Sequence, residues 1–467
     1  MQIGLGMFSN IRKHFFFVNY LAPNFLNFYS ICRLNIKINC LNISKGNSKG
    51  IKNYNFSIFF FRNCATIHPA PAQPYAFMAK SKSSANFNMT ATTLAGLEEV
   101  LAQELRDLGA QYVKPGVRAV TFSGNQYLLY QANLWCRTAI RILKPFAQFK
   151  ARDEKELYLK VREQDWSRFM GVNDTFAINA VVSRSTFEHS LFVSQLTKDA
   201  IVDQFRDKTG QRPSVDVATP DVRINLHMHE NIVTLALDSS GDSLHRRGYR
   251  QQTNVAPLNE VLAAGILLLS GWDRKSPLYD PMCGSGTFLT EAAMLAHNIA
   301  PGVYRRDFGF MRWPDYDAAL YQRVYQDALA QEDADAEVEI FGSDIDPDFV
   351  EATFQNLEFA ELDQYVRVKE LNFKEATKPV DKGILVMNPP YGERIGDENE
   401  INDLYKMIGD TLKSGFQEWD AFIFTGNLEA AKHIGLKPSR RIPLYNGPIE
   451  CRLFKYELYR GSRREKE

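Results

Sequence analysis

Between residues 92 and 109, Leu94, Leu97, Val100, Leu101, Leu105 and Leu108 recur at helical spacing with polar residues between them. That stripe predicts a helix with Thr92 or Thr93 as N-cap and Gly109 as its stop. AVTFSG (119–124) then reads as a strand, NQYLLYQANLWC as a helix, and RILKPFAQFKA as a strand running into a loop. Strand-like TFAINAVVS and SVDVAT flank the helical SLFVSQLTKDAIVDQFRDKTG, and DVRINLHMHENIVTLALDSSG closes the block with two more apolar runs. Helices on a sheet, an α+β unit over about 88–250, are the expectation.

From about residue 256 the rhythm changes. APLNEVLAAGILLLSGW reads as a helix with Pro257 in its first turn; PLYDPMCGSGTFLTEAAMLAHNIA reads as strand, Gly-rich turn and helix from Phe288; EVEIFGSDID is a strand ending in carboxylates. Helix DPDFVEATFQNLEFAEL, strands YVRVKELN and GILVMNPPYG, helix INDLYKMIGDTLKSGF, strand WDAFIFTGN and the hairpin-like RIPLYNGPIECRLFKYELY follow. Strands alternating with helices predict an α/β domain over 251–460 with a mostly parallel, doubly covered sheet. In such a sheet ligands sit beyond the C-terminal strand ends, and the unusual residues lie there.

With 45% hydrophobic and 24% charged content over 467 residues, the chain is globular and long enough for two or three cores. Formal charge is zero, but ten basic residues precede Glu98, the first acid, which leaves 45 Lys and Arg against 55 Asp and Glu beyond. Net charge therefore does not mark a nucleic-acid binder; local patches must. Cys32, Cys40, Cys64, Cys136, Cys283 and Cys451 include no C-x-x-C pair, so free thiols in a reducing compartment are expected and no metal. No apolar stretch is long enough to span a membrane. Residues 1–87, basic and rich in Asn, Phe and Ile without period, read as an atypical extension. It is either upstream sequence translated ahead of a start at Met78 or Met89, or a targeting segment; 461–467 reads as a basic tail.

Three turns carry candidate chemistry. In DPMCGSGT (280–287), Gly284 and Gly286 let backbone approach a ligand at a helix N-terminus, or form an ordinary tight turn. The third glycine of a dinucleotide fingerprint and the Gly-Lys-Ser/Thr of a Walker loop are both missing. In GSDIDP, Asp344 ends a strand where a carboxylate can accept from two ribose hydroxyls, and Asp346 before Pro347 suits an N-cap. Asn388-Pro389-Pro390-Tyr391 follows an apolar strand. The Asn388 side-chain carbonyl and the Pro389 carbonyl can take both N–H groups of an exocyclic base amine and steer its lone pair. Pro389 and Pro390 stiffen the turn, and Tyr391 can stack on the base. A strand-ending Pro-Pro turn with no ligand is the plain alternative.

Gly-rich turn, acidic strand end and Asn-Pro-Pro-Tyr, in that order, resemble the amino-methylating S-adenosylmethionine-dependent methyltransferases. LHRRGYR, APLNEVLAAGIL, DPMCGSGTFLTEAA, NPPYGERIG and LYNGPIECRLFKYEL narrow the resemblance to THUMP-containing 23S rRNA guanine-N2 methyltransferases of the RlmL type, over about 89–460. The resemblance implies a ferredoxin-like and THUMP RNA-binding region at 88–250 and a Rossmann-like methyltransferase domain at 251–460. It implies S-adenosylmethionine held by Asp280, Gly284, Gly286 and Thr287, with Asp344 at its ribose. Asn388 to Tyr391 would receive the guanine. An Asp often found at the adenine-contacting strand end is Asn372 here. Some bacterial members are fused to a second methyltransferase; with the chain ending at Glu467, only the guanine-N2 activity is expected.

His245, Arg246, Arg247 and Arg250 form a basic cluster at the junction of the two regions and are the expected RNA contacts. Arg440, Arg441, Arg460, Arg463 and Arg464 add other basic positions. The expected partner is 23S rRNA before full ribosome assembly, in the cytoplasm. A tRNA guanine-N2 enzyme and a non-catalytic ribosome assembly factor are the alternatives.

Overall fold

The computed structural model describes residues 85–250, 257–392 and 398–459. The extension up to residue 84, the segment 393–397 of NPPYGERIG, and Arg460, Arg463 and Arg464 with the basic tail lie outside the described residues.

Eight strands form the first sheet: β1 (Phe87–Thr92), β2 (Gln111–Pro115), β3 (Ala119–Gly124), β4 (Arg141–Lys150), β5 (Thr175–Ser183), β6 (Ser214–Val215), β7 (Val222–His229) and β8 (Ile232–Asp238), in the order β2-β3-β1-β4-β8-β7-β5-β6. Phe87, which the sequence assigned to the extension, opens β1 and pairs with Gly124 of β3. In β7 the alternation of VRINLHMH buries Val222, Ile224, Leu226 and Met228 against the helices. β4 pairs with both β1 and β8, so one continuous sheet carries the whole N-terminal region.

The first helix runs Glu98–Asp107 rather than from Thr93. Gly96 takes a φ of +90°, which breaks the helical path, and Thr93 spends its hydroxyl on the Thr138 carbonyl at 2.6 Å instead of capping. Likewise the helix Glu260–Leu269 starts after Pro257. Its cap is Asn259, whose side chain accepts from the Val261 and Leu262 N–H groups.

The second sheet holds β9 (Leu278–Asp280), β10 (Ile340–Asp344), β11 (Val366–Glu370), β12 (Gly383–Met387), β13 (Trp419–Thr425), β14 (Arg440–Asn446) and β15 (Ile449–Glu457), ordered β11-β10-β9-β12-β13-β15-β14. The strands β9 to β13 are parallel, and the β14–β15 hairpin adds the antiparallel edge. The chain steps outward from β9 to β11 and returns to β12 on the other side of β9. That reversal opens a crevice at the C-terminal ends of β9 and β12.

Candidate active site

β9 is only three residues long and wholly buried. The Tyr279 hydroxyl shares a 2.6 Å hydrogen bond with Ser343 Oγ, and Cys283 N–H donates to the Ser343 carbonyl at 3.0 Å, so the turn after β9 is tied to β10. Gly284 and Gly286 both take left-handed φ, +53° and +79°. At Gly286 a Cβ would lie 2.7 Å from Thr353 Cγ2, so the turn there requires glycine. At Gly284 no heavy atom lies within 4 Å of the Cβ position, which leaves open space in front of the turn. Thr353 Oγ1 donates to the Gly284 carbonyl at 2.7 Å and Asn356 Nδ2 to the Ser285 carbonyl at 3.1 Å. These two residues, three apart on one face of the helix Pro347–Phe359, were missed by the sequence reading; their spacing after an acidic strand end was the available signal. The next helix begins at Thr287, one residue before the predicted Phe288, with Gly286 at its N-cap.

Two carboxylates border this turn. Asp280, 1% exposed, accepts from Met282 N–H at 3.2 Å, and burial with the neighbouring Asp344 charge pushes its carboxyl well above the ordinary range. Asp344 accepts from Gly284 N–H at 2.9 Å and from Asp346 N–H at 3.1 Å, and burial raises it too. It therefore joins the ends of β9 and β10 through backbone donors. Asp346 caps its helix, accepting from Asp348 N–H at 2.9 Å. Asn372 follows β11 and uses its side-chain oxygen to accept from Lys374 N–H at 3.0 Å, capping the short turn Phe373–Glu375.

Asn388 leaves β12, whose Ile384 and Leu385 pair with Leu278 and Tyr279, so its turn emerges beside the Gly-rich turn. Pro389 is buried and Pro390 exposed. The Tyr391 hydroxyl donates to Asn388 Oδ1 at 2.7 Å, and Asn427 Nδ2 holds the Tyr391 carbonyl at 2.9 Å. The ring stands edge-on to Phe424, centroids 6.4 Å apart, and burial pushes the phenol well up. Tyr405 donates to the Pro390 carbonyl at 3.3 Å. The sequence pointed to neither Asn427 nor Tyr405.

The basic cluster requires a correction. Arg247 is 2% exposed and makes an ion pair with Glu291 at 3.2 Å; its other donors go to the Leu244 and Arg137 carbonyls. A guanidinium buried this deeply and tied through all three nitrogens is out of reach of phosphate, so Arg247 is a structural tie. Arg250 is also withdrawn, pairing with Glu260 at 3.0 Å and bonding Ser285 Oγ and Thr287 Oγ1. His245 hydrogen-bonds Ser243 at 2.7 Å, and burial lowers its ring below the usual range, which leaves it neutral near pH 7. Arg246 alone of the four projects its charge outward, with 69% of its side chain exposed.

Among the described residues no cluster of His, Cys, Asp or Glu is placed to hold a metal ion, and no helix is long and apolar enough to cross a membrane. Cys136, Cys283 and Cys451 are free thiols.

Three family models match: an RlmL ferredoxin-like domain over 88–143, a THUMP domain over 151–238, and an RMKL-like methyltransferase domain over 247–455. A protein named as a candidate RNA methyltransferase from Synechocystis sp. is 44% identical, covering 79% of this chain and 96% of that one. The ribosomal RNA large subunit methyltransferase K/L of Syntrophotalea carbinolica is 41% identical over 79% of this chain, which spans only 53% of that relative's length. Among solved structures, a candidate methyltransferase complexed with SAH, 34% identical, covers 81% of this chain and 99% of its own, with a TM-score of 0.73.

Proposed function

The chain belongs to the S-adenosylmethionine-dependent RNA methyltransferases that carry ferredoxin-like and THUMP domains, and from that premise we propose that it methylates the exocyclic N2 amine of a guanine in 23S rRNA. The observation that carries the reading is the adjacency of the two turns: Asp280 ends β9, Asn388 follows β12, and the two strands pair directly.

The residues present fit the cofactor. Gly284 leaves open space, Asp344 retains lone pairs beyond its backbone donors, and Asp280 is a buried carboxylate that makes no ion pair among the described residues. Asp280, Gly284, Gly286 and Thr287 would hold the amino-acid end, Asp344 the ribose, and Asn372 would border the base. When bound, the cofactor supplies an electrophilic methyl on a positively charged sulfur.

The chain's own residues then position the amine. Asn388 Oδ1 has two lone pairs; Tyr391 takes one, which fixes the carbonyl direction and leaves the other for an amine N–H. The Pro389 carbonyl accepts the second N–H, and neither proline offers a competing donor. Alignment of nucleophile and methyl is worth about 7–11 kcal/mol when ideal, so positioning can supply most of the rate. Extruding the guanine from its stack costs a few kcal/mol. Asn388 has no basicity and the Tyr391 phenol stays protonated because burial raises it, so the amine proton leaves to water after transfer.

The test is methyl transfer from tritiated S-adenosylmethionine to protein-free 23S rRNA, bulk tRNA and duplex DNA, with nucleoside analysis. N2-methylguanosine in 23S rRNA alone is expected. Label in tRNA or in DNA adenine overturns the substrate assignment, and cofactor binding with no label in any substrate favours an assembly role.

A further inference from the structure

Arg250 is a nearly buried cation held at the starts of two helices. It bridges the first turns of two helices, reaching Glu260 Oε1 at 3.0 Å at the start of one, and Ser285 Oγ at 3.1 Å and Thr287 Oγ1 at 3.0 Å at the start of the other. Helix N-termini carry partial positive charge and favour anions, so a guanidinium there works against the dipole. Glu260 balances one helix. At the other, Gly286 provides no side-chain cap, and the two hydroxyls are neutral acceptors. The N-terminus beside the Gly-rich turn thus presents backbone N–H groups, a fixed cation and the open space at Gly284 together, a combination that suits a carboxylate.

Its neighbour fixes the frame. Arg247 and Arg250, three apart in the linker, grip Glu291 and Thr287, four apart on one helix face. Arg137 holds the far end of that helix through the Met294 and Ile299 carbonyls. The helix behind the cofactor turn is therefore locked at both ends, and Arg250 is the member of this set that touches the turn itself.

We propose that Arg250 is a positioning residue for the cofactor's amino-acid end, holding Ser285 and Thr287 in place around Gly286 and lending its charge to an α-carboxylate bound there. This rests on the reading of the Gly-rich turn as the cofactor site. Lys, a single point charge, cannot reach all three acceptors in the same fork.

The experiment is calorimetry on the full chain with two probes: S-adenosylhomocysteine, which has the amino-acid end, and 5′-methylthioadenosine, which lacks it. Arg250→Ala is expected to weaken S-adenosylhomocysteine by about tenfold or more while leaving 5′-methylthioadenosine within about twofold, with Arg250→Lys in between. A Ser285→Ala variant, which keeps the cation but removes one of its ties to the turn, should show the same selective loss. It decides the matter if Arg250→Ala does not fold. Equal weakening of both probes, or of neither, overturns the proposal. Failure of the wild-type chain to bind either probe would instead remove the cofactor-site reading beneath it.

Discussion

The hydroxyl of Tyr391 donates to the side-chain oxygen of Asn388 across 2.7 Å, so the residue after the two prolines orients the residue before them. Tyr391→Phe keeps the ring against Phe424 and removes this donor, along with a long 3.9 Å contact that the hydroxyl accepts from the Cys451 thiol. One hydrogen bond of this kind is worth about 0.5–1.5 kcal/mol, so kcat should fall by roughly two- to tenfold with cofactor affinity unchanged. Asn388→Ala removes the acceptor itself and should cost more in kcat than Tyr391→Phe. Single-turnover methylation of 23S rRNA distinguishes the two; equal losses would mean that Tyr391 does not act through Asn388.

The two glycines of the turn separate fold from function. Gly286→Ala combines a left-handed φ, about 1–2 kcal/mol for a residue with a Cβ, with a 2.7 Å approach to Thr353 that adds about 1–3 kcal/mol of overpacking. Gly284→Ala carries only the first cost, because its methyl enters open space. Thermal unfolding should rank Gly286→Ala well below Gly284→Ala. Calorimetry should nevertheless find cofactor binding lost in Gly284→Ala, since its methyl occupies the space in front of the turn.

Asp280 should make the free protein less stable at neutral pH than it is in mild acid. Its folded carboxyl is raised above the unfolded value by burial and by Asp344. Folding therefore takes up a proton there, and the stability this brings is present below the unfolded value and lost as pH rises through the folded one. Asp280→Asn, uncharged at every pH, should raise Tm at pH 7, and the gain should vanish on acidification toward about pH 4. Cofactor affinity should fall in the same variant. A Tm difference independent of pH would show that the carboxyl is not the cause.

What the sequence made legible was local. The apolar run of β12 and its two prolines, the left-handed glycines beside Asp280, and the Asp346 cap each signal through neighbours in the chain, and the structure has them at the strand and helix ends. The helix expected from Thr93 began at Glu98 because Gly96 outweighed the periodic leucines. The fate of the basic cluster was not local. Arg247 is withdrawn by Glu291, 44 residues away, and Arg250 by Ser285 and Thr287, 35 and 37 residues on. These three partners lie in segments that read as apolar helix and Gly-rich turn, with no charge pattern to announce the pairing.

Adjacent arginines should therefore behave in opposite ways. Arg247→Ala leaves Glu291, fully buried, without its ion pair; breaking such a pair costs about 3–5 kcal/mol, because an uncompensated charge remains inside. Replacing Glu291 by Gln should cost less, since an amide can still accept from the guanidinium. Arg246 makes only a long contact of 3.6 Å with exposed Asp242, so Arg246→Ala should leave Tm nearly unchanged. If Arg246 meets phosphate, the same variant should weaken RNA binding and reduce the slope of log K against log salt by about 0.7–0.9, one released counterion. Measuring Tm and the salt slope for both variants gives a crossed pattern: stability lost at 247, slope lost at 246. A reduced slope in an Arg247→Ala protein that keeps its wild-type Tm would return Arg247 to the RNA surface and contradict its burial.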